Sequence, residues 1–243
     1  DYLSEERIDY YKSDISQKYK QITKTINLTA SRNFKMNFMA AANLAFVDYR
    51  AENQLRQNYS KIQFSIEHDN AEDLIEPNGA IISKIVYDKF LNKTAQDMEK
   101  ALLDIKIFKK IKNNITGAMQ LNTAISNGNL FNSELFVFGG PDDIPGYYRN
   151  EFKVKNIIST NISATYKIRD YKSLLKQKIY FKYTIGISEF NETKKFKFDK
   201  QTLNIGNSLK FIITTILGKL ELGVGYNRND KYIFYFQYGN KIF

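Results

Sequence analysis

The stretch FYFQYGNKIF, from Phe234 to Phe243, determines the fold prediction for this chain. Its side chains alternate along the chain, with one parity formed by Phe234, Phe236, Tyr238 and Ile242 and the other by Tyr235, Gln237 and Gly239. A period of two with an aromatic face and a smaller, more polar face indicates a half-buried strand. Because a soluble domain seldom ends on such a strand without a polar tail, we expect its edge to be paired with another strand.

The composition allows a membrane protein only if strands cross the membrane. The chain has 243 residues and 43% hydrophobic content, but its apolar runs are as short as Leu44 to Val47. A membrane helix needs about 20 apolar residues in succession. A β-barrel needs only weak alternation in each strand, and the 17 Tyr and 18 Phe fit the aromatic girdles of such barrels. The alternative is that these aromatics are ordinary strand formers.

Cysteine usage and charge exclude several function classes. The chain contains no Cys, so it has no disulfide framework, thiolate metal site or cysteine nucleophile. The net charge of +10 is compatible with nucleic acid or anionic lipid as a partner. Because the Lys residues are spread along the chain, we interpret them as a solvated surface and expect no nucleic-acid partner. The charged start at Asp1 contains no signal peptide and suggests a mature form or part of a longer protein.

Alternation like that of the C-terminal stretch recurs along the chain. The other runs lie at 22–30, 36–49, 61–67, 81–90, 98–110, 115–126, 158–168, 179–188, 203–217 and 220–227. Together with the C-terminal stretch they predict about eleven strands, many of them near the roughly 9 to 11 residues of a tilted membrane strand. The run 98–110 also has helical spacing, but we favour a strand. Residues 1–17 are left as a loop, a short helix or a partial strand.

The connections between the runs differ in length. Short polar turns are predicted at Ser31 to Phe34, Lys112 to Asn114 and Asn227 to Lys231, and longer segments at Asp69 to Gly79, Leu91 to Asp97, Ser126 to Tyr148 and Asn191 to Gln201. Short turns on one rim and long loops on the other are typical of membrane barrels. The sequence therefore predicts an all-β, antiparallel transmembrane β-barrel, in one domain spanning residues 1–243.

The last two predicted strands resemble a known family. ILGKLELGVGYNRNDKYIFYFQYGNKIF is similar to the end of the bacterial surface antigen barrels, the superfamily of outer-membrane assembly factors and two-partner-secretion barrels. The matching residues are Gly218, Leu220, Leu222, Gly223 and Gly225, followed by Phe234, Phe236, Tyr238, Gly239 and Phe243. The second set resembles the C-terminal barrel signal, with one extra residue before Phe243. The resemblance implies that the last strand closes the barrel and is recognised by the barrel-assembly machinery.

A second match lies in FGGPDDIPGYYRNEF, from Phe138 to Phe152. The family has Gly-Gly and then Arg-Gly-Tyr/Phe in a loop that folds back into the lumen. The corresponding lid-loop residues here are Gly139, Gly140, Pro145, Gly146, Tyr147 and Arg149. Pro145 occupies the position of the family's arginine, and Thr184 that of its aspartate partner. Loss of both partners avoids an unpaired buried charge. The resemblance implies a lumen-directed lid loop at residues 127–149.

A third match, HDNAEDLIEPNGAIISKIVYD, resembles the family's hairpin with Pro77 and Gly79 in its turn. Five strands follow the lid loop and about six precede it. The resemblance therefore implies that the chain contains the C-terminal 11 or 12 strands of a sixteen-stranded barrel. The first strands are then expected upstream of Asp1.

The resemblance implies an outer-membrane barrel that anchors and translocates an N-terminal passenger. Loss of the arginine, with both glycine motifs kept, most resembles patatin-like phospholipases of type V secretion. One alternative is a general assembly or translocation barrel with periplasmic domains upstream. Another is a soluble basic β-domain that binds nucleic acid or glycan. The implied partners are outer-membrane lipid and lipopolysaccharide, the barrel-assembly machinery and a passenger in cis, and a homodimer is left open.

The chain shows no catalytic, metal or cofactor motif of its own. Its nearest approach to Gly-x-Ser-x-Gly is Gly206 to Lys210, which lacks the second glycine. The acidic surroundings of His68, the only histidine, are interpreted as a solvated loop rather than a metal site. The pair Asp142-Asp143 is assigned to the lid rather than to a phosphate or metal loop. The basic run Lys106, Lys109, Lys110 and Lys112 is interpreted as a solvated strand end, with binding of lipopolysaccharide phosphates or of periplasmic partners as the alternative. We therefore predict no enzymatic activity for this chain.

Overall fold

The computed structural model describes residues 2–12, 18–34, 37–51, 57–71, 75, 77–91, 98–128, 134–171, 177–191, 196–199 and 202–239. Within these ranges the strands are β1 (Tyr2–Lys12), β2 (Lys18–Phe34), β3 (Phe38–Ala51), β4 (Gln57–Asp69), β5 (Ala80–Phe90), β6 (Glu99–Lys112), β7 (Ile115–Asn127), β8 (Phe136–Phe138), β9 (Phe152–Val154), β10 (Asn156–Asp170), β11 (Lys178–Asn191), β12 (Leu203–Thr215), β13 (Gly218–Asn227) and β14 (Tyr232–Gly239). In the part of the chain described, no helix has the length and apolar character that a membrane span requires.

Twelve of these strands form one sheet in the order β1-β2-β3-β4-β5-β6-β7-β10-β11-β12-β13-β14. Its neighbours follow the chain, apart from the small β8–β9 pair that lies in the connection between β7 and β10. Antiparallel neighbours joined in sequence need only short connections, which agrees with the repeated alternation in the sequence. The prediction of an all-β antiparallel fold is confirmed.

The chain forms two compact units, which we describe separately. The first contains residues 1–68, 84–102 and 125–135, and the second contains residues 69–83, 103–124 and 136–243. The first unit has a small apolar cluster of Ala45, Val47, Tyr59, Phe90 and Met98, with Leu135 packed against it. On β3 and β4 the alternate positions carry Phe46, Phe64 and Ile66, which are exposed. The two faces of these strands therefore differ as the alternation predicted.

In the second unit the apolar face is exposed and the polar face is buried. On β14 the side chain of Phe234 is 84% exposed, whereas Lys210 on β12 is only 1% exposed. The exposed set includes Ile162, Phe181, Tyr183, Ile185, Leu209, Leu222 and Phe236, and the buried set includes Asn161, Thr184, Ser208 and Glu221. This distribution is the reverse of a soluble sheet and is typical of strands whose outer face meets lipid.

The structure corrects two sequence expectations, one on a turn and one on turn lengths, and it shows strands in two segments that were left open or assigned as loop. The predicted turn at Ser31 to Phe34 is wrong, because these residues belong to β2 and pair with β3 from Phe38 to Ala41. The left-handed residue at this hairpin is Asn37, with a φ of 60°, and Asn tolerates that conformation. Ser31, Arg32 and Asn33 are exposed strand residues. Because exposed strand residues can be as polar as turn residues, composition alone predicted a turn here.

The other two changes concern segments whose structure was left open or assigned as loop. Within residues 1–17, Tyr2–Lys12 forms β1 and pairs along its length with β2. Within the lid loop, Phe136–Phe138 forms β8 and pairs with β9. For Met98 to Lys110 the strand interpretation is confirmed, because β6 spans Glu99–Lys112. The short turn after Asn227 lies at the same end of the second unit's strands as the long connections, so turn length does not separate the two ends there.

Candidate functional site

The candidate site is the lid tip, residues 139–148, together with the polar face of the sheet against which it packs. The β8–β9 pair holds the base of this segment, with Phe138 opposite Phe152. Gly140 and Ile144 form a single antiparallel bridge, and Gly140 O accepts hydrogen bonds from Asp143 N at 3.2 Å and from Ile144 N at 3.0 Å. The chain therefore makes a tight, internally bonded turn that carries Asp142 and Asp143.

The lid tip contacts the sheet most closely at Pro145 and Gly146. A Cβ atom at Gly206 of β12 would collide with the carbonyl oxygen of Pro145. Gly146 has a φ of 84°, and a Cβ there would collide with the backbone of Tyr226 on β13. Glycine at both positions lets the two backbones touch without a side chain between them. We call Gly206 of β12 and the backbone of Tyr226 on β13 the glycine seat.

Hydrogen bonds fix the lid tip on the glycine seat. Gly146 N donates to the Tyr235 hydroxyl at 2.8 Å, and that hydroxyl donates to Tyr147 O at 3.2 Å. Asn227 Nδ2 donates to Gly146 O at 2.7 Å. Two strands near the end of the chain thus satisfy successive backbone groups of the lid, which would otherwise be buried without partners.

The carboxylate of Asp142 is bound by lysines of the sheet. Lys210 Nζ lies 2.6 Å and Lys182 Nζ 3.5 Å from Asp142 Oδ1. Lys210 also lies 3.2 Å from Glu221 Oε2, and Lys219 lies 2.6 Å from the other oxygen of Glu221. Burial disfavours the charge on Asp142, but Lys182 and Lys210 outweigh it and hold the pKa of Asp142 well below its usual range. The lid is therefore held by charge as well as by shape.

The neighbouring Asp143 has the opposite electrostatic environment. Burial, with the nearby carboxylates of Asp142 and Asp104, raises the pKa of Asp143 to about 6. The backbone of the pair is held by Asn161, whose Nδ2 donates to Asp143 O at 2.7 Å and to Asp142 O at 3.2 Å. One lid carboxylate is thus kept ionised and the other is near its titration point at neutral pH.

The polar face beneath the lid carries buried groups that lack partners. Among the described residues these are the hydroxyls of Ser159, Thr184, Ser188 and Ser208 and Asn161 Oδ1. Thr184 and Asn161 also line a cavity of about 10 Å³ beside Asp142, which is near the space needed for one water molecule. The interface between lid and sheet is therefore polar and incompletely bonded, unlike a packed apolar core.

The structure brings most of the predicted lid residues together. Gly139, Gly140, Pro145, Gly146 and Tyr147 are buried, and Arg149 is exposed with its backbone beside Gly140. Pro145, at the position of the family's arginine, contacts Gly206 rather than a charged group. Thr184, at the position of the family's aspartate, is buried on β11. The predicted C-terminal signal residues Phe234, Phe236 and Tyr238 are exposed on β14, Gly239 ends that strand, and Phe243 lies outside the described residues.

Sequence reasoning missed the residues that hold the lid. The sequence pattern singles out neither Lys182 nor Lys210 as a site residue, and it places Tyr235 on the smaller face of its strand. The charged contact also runs in the opposite sense to the pair expected from the family, since here the lid supplies the carboxylate and the strands supply the cations. The available signal was a lysine on the polar parity of β11 and of β12, in positions where small and amide side chains otherwise occur.

The first unit contains a separate charged cluster around Glu134. Its carboxylate accepts from Tyr59 Oη at 2.7 Å and from Lys61 Nζ at 2.9 Å, and Lys100 also binds it. Asp88 lies 3.4 Å from Lys61. Although burial opposes ionisation, Lys100 and Lys61 lower the pKa of Glu134 to about 2. We call these residues the Glu134 cluster; the sequence reasoning did not single it out.

The remaining sequence candidates stay outside any catalytic arrangement in the described residues. Ser208 is a paired residue of β12, and His68 stacks on Phe38 with ring centroids 4.4 Å apart. No group of acidic, His or Cys residues suited to a metal occurs in the described part of the chain. Lys106 lies near Asp142, whereas Lys109, Lys110 and Lys112 are exposed.

Comparison with known proteins identifies the fold. No family model matches the sequence, and no curated protein matches it in sequence. The crystal structure of BamA from Haemophilus ducreyi lacking POTRA domains 1-3 is similar, with a TM-score of 0.74, 10% identity and coverage of 95% of this chain. The fold is that of the BamA β-barrel. CdiB from Escherichia coli is also similar, with a TM-score of 0.63, 8% identity and coverage of 97% of this chain.

The chain is shorter than both of these structures. It spans 56% of the BamA chain and 47% of the CdiB chain. Its sheet therefore corresponds to part of the BamA barrel fold. At identities of 10% and 8% the similarity to BamA and CdiB is one of fold. The function therefore has to be argued from the two faces of the sheet and from the lid.

Proposed function

We propose that this chain is part of an outer-membrane β-barrel that anchors an N-terminal passenger and translocates it. The observation that carries the proposal is the division of the second unit's sheet into an exposed apolar face and a buried polar face covered by the lid tip. Lipid would contact the apolar face, and the polar face would line the lumen. The similarity to BamA and CdiB, which are outer-membrane barrels, supports this assignment.

The lid tip gates the lumen in this proposal. Its removal breaks the contact between Asp142 and Lys210, the hydrogen bonds to Tyr235 and Asn227, and the contact with Gly206. The groups left behind are polar and become hydrated, so opening does not expose a hydrophobic core. A polar segment of an extended chain can then replace the lid on the same face. The mechanism is mechanical and needs no catalytic residue in this chain.

The passenger that we propose is a patatin-like phospholipase. The support is the sequence pattern, in which Gly139, Gly140, Gly146 and Tyr147 are kept and Pro145 replaces the arginine. A full-length protein containing an upstream Gly-x-Ser-x-Gly domain with lipid hydrolase activity would bear this out. The activity should disappear when the serine of that upstream motif is replaced, while the barrel remains inserted.

A second candidate function is that of a general assembly or translocation barrel with periplasmic domains upstream. The similarity of its fold to that of BamA favours it. Tandem periplasmic domains without a hydrolase domain would support this alternative. The soluble, nucleic-acid-binding or glycan-binding alternative is disfavoured, because the exposed set on β14 contains Phe234, Phe236 and Tyr238 together.

The environment of the barrel can be tested on the full-length protein. We expect it to sediment with outer membranes, to require detergent for extraction, and to migrate faster in SDS gels before heating than after heating. Protease added to intact cells should cleave the passenger, because opening of the lid lets the passenger reach the cell surface. A protein that stays in solution without detergent and shows the same gel mobility before and after heating would contradict the proposal.

The partners follow from the same two faces. We propose outer-membrane lipid and lipopolysaccharide as contacts of the apolar face, and the barrel-assembly machinery as the partner that recognises β14. We propose the apolar face or the sheet edges at β1 and β14 as the surfaces through which a homodimer would form. Chemical crosslinking in native outer membranes, compared before and after detergent extraction, distinguishes a dimer from a lipid-surrounded monomer.

A further inference from the structure

Three lysines of the second unit converge on the polar face beneath the lid tip. Lys106 lies on β6, Lys182 on β11 and Lys210 on β12, and all three influence Asp142 electrostatically. Lys182 is also subject to repulsion from Lys106 and Lys210. Like charges this close are unfavourable unless an anion lies among them. We call these residues the lysine cluster, and Asp142 is the lid carboxylate bound to it.

The charges of the strands around the lysine cluster do not balance without the lid. Lys219 adds a fourth ammonium group, whereas the strands contribute carboxylates at Asp104 and Glu221. Asp142 of the lid supplies a carboxylate that binds Lys210 and Lys182 directly. When the lid tip leaves, the polar face keeps an excess of positive charge in a place from which water is partly excluded.

The same place contains polar atoms that the lid does not satisfy. Thr184 is only 3% exposed, and its hydroxyl has no partner among the described residues. It lines the small cavity of about 10 Å³ with Lys106, Lys182 and Asn161. A buried hydroxyl without a partner is costly. The cavity is about the size of one water molecule, so the docked lid leaves the Thr184 hydroxyl without a protein partner.

Asn161 adds a feature that distinguishes a peptide from a free anion. Its Nδ2 group donates to two successive backbone carbonyls, those of Asp142 and Asp143, while Lys210 binds the side chain of Asp142. The site therefore contacts a carboxylate and the adjacent main chain together. A phosphate group offers the charge but lacks the two successive carbonyls.

We propose that the lysine cluster with Asn161 is a binding site for acidic segments of an extended polypeptide. Asp142 occupies the site while the lid tip is docked, and acidic residues of a passenger replace it when the lid leaves. The lid thus acts as an internal competitor of the translocated chain. This inference rests on the proposed function of translocation. It adds that the passenger segments bound at the polar face of the sheet are acidic.

The test uses the full-length protein in detergent micelles and a fluorescein-labelled hexa-aspartate peptide, with hexa-asparagine as the neutral control. The Gly206→Val variant, which places a side chain against Pro145 O, serves to displace the lid without changing its charge. We expect this variant to bind hexa-aspartate about tenfold more tightly than the wild type does, since one ammonium–carboxylate contact in a partly buried site is worth about that factor. Adding Lys182→Gln should reverse the gain, and heat-modifiable gel mobility checks that every variant is folded.

Several results would overturn the proposal. Equal affinity for hexa-asparagine and hexa-aspartate would show that the site does not recognise the negative charge of the peptide. If the Gly206→Val, Lys182→Gln double variant bound hexa-aspartate as tightly as Gly206→Val alone, the lysine cluster would not be the binding site. If inorganic phosphate displaced the peptide at the same total concentration of negative charges, the site would be a general anion site and not a peptide site.

Exposure of the passenger at the cell surface separates this inference from the proposed function. If the passenger is exposed but hexa-aspartate does not bind, the site assignment fails and translocation stands. If hexa-aspartate binds as expected but the passenger is never exposed, the site assignment stands and translocation fails.

Discussion

The two charged clusters of the molecule bind a carboxylate in different ways. In the Glu134 cluster the carboxylate is buried and bonded to Tyr59, Lys61 and Lys100. In the lysine cluster the Asp142 side chain is 53% exposed, and unpartnered hydroxyls lie nearby. A saturated, buried carboxylate is suited to permanent structure, whereas a half-exposed one over a polar cavity is suited to release. The contacts of Glu134 in the first unit are therefore suited to be permanent, and the contact of Asp142 with the lysine cluster in the second unit is suited to be exchanged.

The largest expected effect comes from breaking the Glu134 cluster. Glu134→Ala removes the carboxylate that binds both Lys61 and Lys100 in a buried site, so we expect a loss of about 3 kcal/mol in the free energy of unfolding. Urea unfolding in detergent, followed by heat-modifiable gel mobility, measures it. Glu134→Gln keeps the shape and should cost less. Equal stability of Glu134→Ala and the wild type would place this cluster among the exchangeable contacts.

The next effect concerns the glycine seat. Gly206→Val forces Pro145 away from β12, so trypsin should cleave the exposed bond after Arg149 about tenfold faster, because the local opening equilibrium shifts. Leu209→Val is the matched control, since Leu209 lies on the exposed face of the same strand as Gly206. The seat has no role in holding the lid if both variants are cleaved at the wild-type rate.

A smaller effect is expected for the hydroxyl that joins β14 to the lid. Tyr235→Phe removes the hydrogen bonds to Gly146 N and Tyr147 O, at about 0.5 kcal/mol for each bond, or about fivefold for the two together. Cleavage after Arg149 should accelerate by less than in Gly206→Val. Tyr238→Phe, which alters an exposed hydroxyl 3.5 Å from Leu217 O, should leave the rate unchanged. A rate for Tyr235→Phe equal to that of Tyr238→Phe would contradict the assignment.

The final prediction concerns the pH dependence of lid docking. The pKa of Asp143 is raised from 3.8 to about 6 in the docked state, so docking favours its protonated form. Its contribution is fully present below pH 3.8 and is lost as the pH rises through about 6. Cleavage after Arg149 should therefore be slower at pH 5 than at pH 8 once the protease's own pH dependence is subtracted. Asp143→Asn should abolish the difference, and persistence of the difference would assign it to another group.

The sequence predicted the sheet better than it predicted the site. Alternation places Leu222 and Glu221 on opposite faces of β13 because it depends only on neighbours along the chain. The pairing of Asp142 with Lys210 depends on the register of several strands and on the path of the lid, which no local pattern contains. The wrong turn at Ser31 to Phe34 has a similar cause, because polar residues near the end of a strand have the composition of a turn. The glycines of the lid were predicted because a resemblance supplied what local periodicity does not.

The hydroxyl of Tyr235 also has a consequence for the order of events during assembly. It belongs to β14, the last strand described, and it holds a segment that lies far earlier in the chain. During synthesis the lid tip emerges before its partner exists, so it cannot be fastened until the C-terminal hairpin is in place. A docked lid therefore shows that β14 is in place, whereas a sheet that lacks β14 leaves the lid tip unbound and accessible to proteases.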